Sequence, residues 1–205
     1  MTTPSTTHFD TSARDWDQRP TSLQLAVVPE RLLTQLPLKS SDHVLDFGAG
    51  TGLLATAIAP RVARVTALDM SAAMLQVLAE KGVANITTLQ QDIFAGLPEQ
   101  YRAIVSCMAM HHVEDTAGLL RAFAAALHRG GRIALVDLYA EDGSFHGDHA
   151  ENASKGVHHL GFAPRNLQAL AEQAGFESIA FREILQVQRP NGRAYPLFLM
   201  TGRKP

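Results

Sequence analysis

Three glycines stand at alternate positions, Gly48, Gly50 and Gly52, directly after an apolar run that ends in Asp46 and Phe47. The apolar run is typical of a buried strand, and helical spacing of apolar residues begins just after the glycines. Glycine adopts backbone angles that other residues avoid, and it lets the backbone pass within contact distance of a ligand. Open α/β sheets bind nucleotides at such a turn, at the carboxyl end of a strand. The turn therefore predicts a site for a ligand that contains adenosine.

Acidic residues also end the next two predicted strands. Asp69 ends the second strand, where a carboxylate can accept hydrogen bonds from both hydroxyls of a ribose. Asp92 ends the third strand, where it can accept from the exocyclic amine of a purine while Ile93 packs on the ring. Each acid, Asp46 included, could instead be only a turn or capping residue. Three acids at successive strand ends after one glycine turn favour a shared ligand.

The spacing of the glycines helps to choose among ligands. The dinucleotide fingerprint is G-x-G-x-x-G, whereas this turn reads G-x-G-x-G and Leu53 stands in place of the third glycine. The phosphate-binding Gly-Lys-Ser/Thr pattern does not follow the turn either. The turn therefore favours a ligand without phosphates and leaves an NAD-dependent oxidoreductase as the less favoured alternative.

Strands and helices alternate along the chain, which is typical of a doubly wound sheet. Pro190, Asn191 and Gly192 form a strong hairpin turn signal near the C-terminus. We therefore predict an α/β fold with a mostly parallel, seven-stranded, Rossmann-like sheet that ends in an antiparallel hairpin. The predicted strands cover residues 43–47, 64–68, 86–89, 103–107, 133–138, 179–187 and 195–201, and the predicted helices cover 12–36, 52–59, 71–81, 115–128 and 164–174.

The length suits one domain over residues 1–205 with a proper core. Residues 1–11 are predicted to form a flexible leader, and residues 12–36 a helical cap. Regularity is lost between residues 140 and 161, a segment that holds four glycines and four histidines. We treat this segment as a loop that could contribute to a binding site.

The composition limits the class of partner and the compartment. The net charge of −2 gives no electrostatic attraction to nucleic acid or to an anionic membrane. A single cysteine, Cys107, excludes an internal disulfide and a thiolate metal cage, which favours a reducing compartment. The N-terminus lacks the apolar core of a signal peptide, and no apolar run approaches the ~20 residues that span a bilayer. We therefore expect a cytoplasmic protein, monomeric or homodimeric, that binds neither nucleic acid nor membrane.

With these residues in view, the chain resembles the class I S-adenosylmethionine-dependent methyltransferases over nearly its whole length. Residues 44–52 are similar to the first motif of that family, and Asp69 and Asp92 match the next two in order and spacing. Residues 104–113 and 127–137 are similar to the motifs of the fourth and fifth strands. The similarity is greatest to the small-molecule branch, which includes ubiquinone and menaquinone methyltransferases.

The resemblance implies S-adenosylmethionine as cofactor and gives a role to the first motif. Gly48 and Gly50 would cradle the methionine part of the cofactor. Asp46 would help to fix its amino group, directly or through water. Met108, just past the fourth strand, would line the cavity near the methionyl chain.

The resemblance also implies how the adenosine is held. Asp69 would hold the ribose, and Met70 would lie against the adenine. Asp92 and Ile93 would bind the edge and the face of the adenine.

Two segments would close over such a site. In this family the segment after the fifth strand, here residues 140–161, forms the acceptor lid, so His146 and His149 are candidates for substrate contact. Trp16 and Arg19, in the N-terminal cap, would close over the site from the other side.

Methyl transfer from a sulfonium mainly requires that acceptor atom, methyl carbon and sulfur be aligned. A general base is needed only when the acceptor must lose a proton. His111 and His112 follow the fourth strand, next to where the methyl group should point. We predict that His111 faces the cavity as a base or an acceptor-positioning residue. His112 is either a substrate contact, a packed side chain or a partner of Asp115.

The predicted function is therefore methyl transfer to a small organic acceptor at oxygen, carbon or nitrogen. A non-catalytic protein that binds or senses S-adenosylmethionine is the alternative, since binding and turnover share these motifs. The histidines from His111 to His159 also suggest a metal site, but their spacing matches no recognised zinc pattern, and we predict no metal.

Overall fold

A seven-stranded sheet forms the centre of the computed structural model, which describes residues 7–205. Its strands are β1 (His43–Phe47), β2 (Arg64–Asp69), β3 (Ile86–Gln90), β4 (Tyr101–Cys107), β5 (Leu127–Leu138), β6 (Glu177–Gln188) and β7 (Ala194–Arg203). Their order across the sheet is β3-β2-β1-β4-β5-β7-β6. Strands β1 to β5 pair in parallel, whereas β7 is antiparallel to both β5 and β6. The predicted doubly wound sheet with an antiparallel C-terminal hairpin is confirmed.

Helices cover both faces of this sheet. They are α1 (Thr7–Ser12), α2 (Pro20–Leu25), α3 (Val28–Leu33), α4 (Leu53–Ile58), α5 (Ala72–Glu80), α6 (Thr116–Ala126), α7 (His149–Ser154) and α8 (Pro164–Gln173). Short 3-10 turns lie at Ala13–Gln18, Ala59–Arg61, Ile93–Ala95 and Met110–His112. Because both faces are covered, the central strands are mostly apolar on both faces rather than alternating between apolar and polar residues.

Neighbouring residues of β1 belong to different halves of the core, since successive side chains of a strand point to opposite faces. Val44 is buried in one cluster with Leu54 and Ile58 of α4. Leu45 is buried in the other cluster with Phe123 of α6. The strand that precedes the glycine turn is therefore fixed from both sides.

The register brings the carboxyl ends of the first four strands to one edge of the sheet. Phe47 of β1 pairs with Leu68 of β2 and Ser106 of β4. Asp69 of β2 pairs with Gln90 of β3. The loops that carry the predicted site residues therefore leave the sheet side by side.

The N-terminal region differs from its prediction. Residues 7–12 form α1, where a flexible leader is predicted up to residue 11; residues 1–6 of that leader lie outside the described residues. The helix is tied down by the ring of Phe9, which lies edge-on to His112 with centroids 5.1 Å apart, and by Ser71, whose hydroxyl donates to Asp10. These partners are distant in sequence, so local composition could not reveal them.

The predicted cap helix over residues 12–36 is broken into several short helices. Proline lies in the first turn of both α2 and α3, Pro20 in the former and Pro29 in the latter. Proline is accepted in the first turn of a helix but not in its interior, so each proline starts a new helix.

Strand β5 also starts earlier than predicted, at Leu127 instead of residue 133. Leu127 pairs with Tyr101 of β4, and the Gly130 N–H donates to the carbonyl of Lys204. Helix α6 therefore ends at Ala126, because the residues after it form these long-range contacts. The sequence predicts that the helix ends later, just before Gly130 and Gly131.

The segment predicted to be irregular, residues 140–161, contains α7. Asp148 accepts from the Glu151 N–H, and the Glu151 side chain accepts from the Asp148 N–H, which together form a capping box. Asn152 is buried, and its Nδ2 donates to the carbonyls of Gly143 and Asp148. Polar contacts within the segment therefore stabilise its structure. A prediction based on the periodicity of apolar residues does not detect such contacts.

Among residues 7–205, no helix has both the length and the apolar character that crossing a membrane requires.

The end of this segment generates a prediction about stability. A Cβ added to Gly161, which has φ +74°, would lie 2.2 Å from the carbonyl oxygen of Tyr139. Gly156 has φ +67° but no atom within 4 Å of such a Cβ. We expect Gly161→Ala to lower the free energy of unfolding by about 1–3 kcal/mol more than Gly156→Ala, because only the former forces a collision. Urea unfolding of both variants measures the difference, and equal losses would contradict the close approach at Gly161.

Candidate active site

The glycine turn after β1 has an unusual backbone. Gly48, Gly50 and Gly52 have φ values of 64°, 53° and 93°, in the left-handed region that glycine tolerates best. A Cβ on Gly48 would lie 2.3 Å from the Cβ of Ala109, whereas no atom lies within 4 Å of a Cβ on Gly50. Gly48 therefore allows the segment after β4 to approach the turn, and Gly50 borders open space.

Asp46 is buried beneath this turn, with 2% of its surface exposed. Its Oδ2 accepts a hydrogen bond from the Ala55 N–H of α4 at 2.9 Å. Burial raises the pKa of Asp46 to about 8; the nearby Asp69 adds to the rise, and the bond from Ala55 opposes it. The carboxyl group thus links β1 to the helix that follows the turn.

Asp69, at the end of β2, grips the turn from the other side. Its Oδ2 accepts from the Gly50 N–H at 2.8 Å, and its Oδ1 accepts from the Ser71 N–H at 2.9 Å. Burial raises the pKa of Asp69, and the charge of Asp10 adds to the rise. The cap of α5 is Ser71, whose hydroxyl accepts from the Met74 N–H, as its position predicts. Ser71, and not Asp69, is therefore the N-cap residue of α5.

The third predicted acid has a local role. Asp92 is exposed and begins the 3-10 turn Ile93–Ala95, where its Oδ1 accepts from the Phe94 N–H at 2.9 Å. Ile93 is buried, with 4% of its surface exposed. The turn role that the sequence leaves open for Asp92 is present in the structure.

Two methionines flank the same edge of the sheet. Met70, half-buried, follows β2, and its carbonyl accepts from Nε2 of Gln90. Met108 follows β4 with φ 58°, rare for a residue other than glycine, and its N–H donates to the carbonyl of Val136. Backbone strain of this kind concentrates at functional sites.

A cluster of three histidine rings lies beyond Ala109. His111 and His112 occupy the turn after β4, and His146 reaches them from the segment after β5. The ring centroids lie 4.1 Å apart for His111 and His112, 4.9 Å for His111 and His146, and 5.9 Å for His112 and His146. We call these three side chains the histidine cluster.

His111 is held by an acid that the sequence patterns do not single out. Its Nδ1 lies 2.7 Å from Oδ1 of Asp137, and its N–H donates to Oδ2 of the same residue. Asp137, on β5, is fully buried, and His111 is 1% exposed. In the neutral ring, donation from Nδ1 to Asp137 leaves the lone pair on Nε2. This buried Nε2 has no hydrogen-bond partner among residues 7–205.

The other two rings of the histidine cluster are neutral at physiological pH. Burial, with the charge of His111, holds the pKa of His112 well below its usual value. Burial likewise lowers the pKa of His146 to about 3, again with help from His111. Nδ1 of His112 lies 3.0 Å from the carbonyl oxygen of Gly156. The prediction that His112 bonds to Asp115 is therefore wrong. Asp115 instead caps α6 by accepting a hydrogen bond from the Gly118 N–H.

The N-terminal residues lie over the histidine cluster. Phe9 contacts His112, and the ring of Trp16 lies 5.7 Å from that of Phe9. The guanidinium of Arg19 stacks on Trp16 at 4.6 Å from the ring centroid. Trp16 and Arg19 are therefore in the layer that covers the histidine cluster, with Phe9 between them and the rings.

The same N-terminal layer reaches the glycine turn. The hydroxyl of Thr51 donates to Asp17, which also pairs with Lys81 at 2.7 Å. His149, by contrast, is exposed at the start of α7 and does not belong to the histidine cluster. Of the two lid histidines that the sequence proposes, the fold brings only His146 to the site.

Sequence reasoning missed two residues that shape this site. Asp137 could have been noticed as an acid inside an otherwise apolar strand, because such an acid needs a buried partner. Phe9 gave no signal, since it stands in a polar segment without periodicity.

Comparisons with known proteins agree with this geometry. A family model described as a methyltransferase domain matches residues 16–180. The chain is therefore a member of the class I S-adenosylmethionine-dependent methyltransferases, which confirms the resemblance noted from its motifs.

Two relatives illustrate the family. An uncharacterised methyltransferase of Mycobacterium bovis is 42% identical over 111 residues, which cover 52% of this chain and 56% of that protein. A ubiquinone biosynthesis O-methyltransferase of Coxiella burnetii is 34% identical over 135 residues, which cover 61% of this chain and 57% of that protein. The chain thus spans about half the length of the curated relatives that it matches.

A solved structure shares the fold. The phosphoethanolamine N-methyltransferase 2 of Haemonchus contortus, in complex with phosphomonomethylethanolamine and S-adenosylhomocysteine, matches with a TM-score of 0.74 and 17% identity. The match covers 96% of this chain and 57% of that one.

The open space beside Gly50 generates a prediction. We expect Gly50→Ala to weaken binding of S-adenosylhomocysteine at least tenfold, about 1.4 kcal/mol, because the added methyl group would enter the space meant for the ligand. Gly82→Ala is the matched control, since Gly82 also has a positive φ and open surroundings but lies beyond α5. Isothermal titration calorimetry measures both affinities. Equal affinities in the two variants would show that the ligand lies elsewhere.

Proposed function

We propose that the protein transfers a methyl group from S-adenosylmethionine to a small organic acceptor, at an oxygen, carbon or nitrogen atom. One juxtaposition supports this most strongly. The glycine turn, gripped by Asp46 and Asp69, adjoins a buried His111 whose Nε2 has no partner among residues 7–205. A turn suited to the cofactor thus lies next to a side chain suited to acceptor chemistry, which supports the proposal.

The residues of the turn fit the methionine part of the cofactor. The open space beside Gly50 leaves room for a ligand against the backbone. Asp46 would fix the amino group, directly or through water, and a cationic amine would favour ionisation of a carboxyl whose pKa is raised to about 8. Gly48 would complete the cradle, and Met108 would line the methionyl chain.

The neighbouring strand ends suit an adenosine. The N–H groups of Gly50 and Ser71 bond to different carboxylate oxygens of Asp69, and the remaining lone pairs of the carboxylate can accept ribose hydroxyls. Met70 and Ile93 would pack on the adenine. Asp92 would accept from the adenine amine through Oδ2, since Oδ1 accepts from Phe94.

When bound, S-adenosylmethionine supplies an electrophilic methyl group carried on a sulfonium. His111 would accept at Nε2 the proton that the acceptor atom loses as it is methylated. Asp137 fixes the tautomer that leaves Nε2 basic, and it would stabilise the imidazolium that results. Burial of these groups keeps water away from the reacting atoms.

The surroundings of the histidine cluster favour a small acceptor. Phe9 lies against His112, and Trp16 and Arg19 extend this cover outward. The neutral rings of His112 and His146 can donate or accept hydrogen bonds to a polar acceptor group. A polymer would have to displace the N-terminal layer, and the net charge of −2 offers nucleic acid or an anionic membrane no attraction. A small organic molecule is the substrate that these features favour.

The alternatives are less well supported. A protein that only binds or senses the cofactor has no use for a buried, partnerless Nε2, which costs about 1–3 kcal/mol of stability. An NAD-dependent oxidoreductase conflicts with Leu53 at the third glycine position and with membership of the methyltransferase family.

Cofactor binding can be tested at Asp69. We expect Asp69→Asn to weaken binding of S-adenosylhomocysteine by about 10- to 100-fold, because a charged acceptor for two hydroxyls becomes a neutral one. Glu30→Gln, on the exposed side of α3, removes a charge without touching the site and should leave the affinity unchanged. Calorimetry gives the affinities, and the melting temperature checks the fold. Full affinity in Asp69→Asn would limit this residue to its structural bonds.

Catalysis can be tested at His111. We expect His111→Ala to lower turnover by about 100-fold or more with unchanged affinity for S-adenosylhomocysteine, because a general base contributes about 10²–10⁴-fold. Asp137→Asn should lower turnover similarly, since the amide no longer fixes the tautomer. Product S-adenosylhomocysteine is measured with a panel of phenols, quinols and amines. Wild-type turnover in His111→Ala would remove this residue from the reaction.

A further inference from the structure

The ring nitrogens of the histidine cluster face one another. One nitrogen from each of His111, His112 and His146 can be chosen so that all three lie within 4.8 Å of one another. We propose that these three side chains bind a divalent transition-metal ion of the zinc class. The sequence predicts no metal, and the sites assigned above do not include one.

Two of the three rings are already oriented as metal ligands are. A metal-bound histidine usually donates its other ring N–H to a carboxylate or a backbone carbonyl. His111 has this arrangement with Asp137 at 2.7 Å, and His112 has it with the carbonyl of Gly156 at 3.0 Å. Both bonds use Nδ1 and leave Nε2 with its lone pair. These hydrogen bonds at Nδ1 are formed without a metal, so the fold already orients His111 and His112 as ligands.

The buried nitrogen of His111 is an independent sign of a ligand. Its Nε2 is inaccessible and has no hydrogen-bond partner among residues 7–205. Buried polar atoms in folded proteins nearly always have a partner. An ion bound to Nε2 would supply the partner that the described protein atoms do not.

The distances need only a small adjustment. Zinc binds imidazole nitrogen at about 2.0–2.1 Å in a tetrahedral arrangement, which places ligand nitrogens roughly 3.4 Å apart. The chosen nitrogens lie within 4.8 Å of one another, so each pair must approach by at most about 1.4 Å, which rotations of the histidine side chains can supply. Imidazole ligands suit zinc, copper, iron and nickel, whereas magnesium and calcium require oxygen.

Three ligands leave a fourth position open, as in zinc sites that act on substrates. Two cationic side chains lie near His146: Nζ of Lys155 donates to the carbonyl oxygen of His146, and the guanidinium of Arg189 stacks on the ring of the neighbouring Phe145. They favour an anionic fourth ligand, so an acceptor with an ionisable hydroxyl or thiol suits the loaded site. This conclusion about the acceptor rests on the proposed function, but the metal site itself does not.

Metal binding and general-base action exclude each other at His111. Both use the lone pair of Nε2, so this residue acts as a base only in metal-free protein. The two roles are therefore separable by controlling the metal content.

The first experiment titrates the full chain, freed of metal by a chelator, with Zn²⁺ in a calorimeter and with Co²⁺ in a spectrophotometer. We expect one equivalent of each ion to bind, and Co²⁺ to show the visible absorption of a tetrahedral site. No heat with Zn²⁺ together with no visible absorption with Co²⁺ would overturn the proposal.

Variants locate the site. We expect His146→Ala to weaken Zn²⁺ binding by about 100-fold or more because it removes one ligand, and Asp137→Asn to weaken it by about 10- to 100-fold because it removes the outer partner of His111. His128→Ala is the matched control, since His128 is exposed at the opposite end of the sheet. A loss below tenfold in His146→Ala, whose loop position spares the core, would also overturn the proposal.

Failure here is distinct from failure of the proposed function. S-adenosylhomocysteine is titrated into the same metal-free wild-type protein. If it does not bind, the proposed function fails whatever the metal result. If it binds while Zn²⁺ and Co²⁺ do not, only the metal site fails.

Discussion

Two carboxylates, buried Asp46 and half-buried Asp69, fix the glycine turn after β1, and the rest of the site is built on this constraint. Asp46 joins the end of β1 to α4 through Ala55, and Asp69 joins the end of β2 to the turn through Gly50. Both acids are removed from water, which raises their pKa values. Burying a carboxyl group costs free energy of folding. Proteins keep such groups where they orient backbone groups or contact a ligand.

The glycine turn also determines where the acceptor side of the site can be. Because Gly48 has no side chain, Ala109 can lie against the turn, and the segment after β4 passes close to it. That segment carries His111 directly to the carboxylate of Asp137 on the next strand. The sheet order, with β4 between β1 and β5, is what makes this approach possible. The glycine turn, which is the proposed cofactor site, and the histidine cluster are therefore consequences of one strand arrangement.

The sequence predicts much of this because the signals involved are local. Strand β1 is a mostly apolar run that ends in Asp46 and Phe47, and Asp69 and Asp92 stand at the ends of the next two predicted strands, so the sequence alone predicts the edge of the sheet that carries the proposed cofactor site. The histidine cluster is different. His146 lies in a segment without periodicity, and His149, three residues later, has the same chemistry but points to solvent. Only the packing of that segment, fixed by buried Asn152, distinguishes the two.

Contacts between distant segments explain the other differences. The helix over residues 7–12 is stabilised by packing of Phe9 against the ring of His112. This contact joins the first described helix to the turn after β4. The role of Asp137 becomes apparent only from its contact with His111, which is distant in sequence. A crystal structure with S-adenosylhomocysteine tests the central claim most directly. We expect the ribose hydroxyls within hydrogen-bond distance of Asp69 and the sulfur facing the histidine cluster. A ligand bound away from the glycine turn, or with its sulfur directed away from His111, would contradict the account.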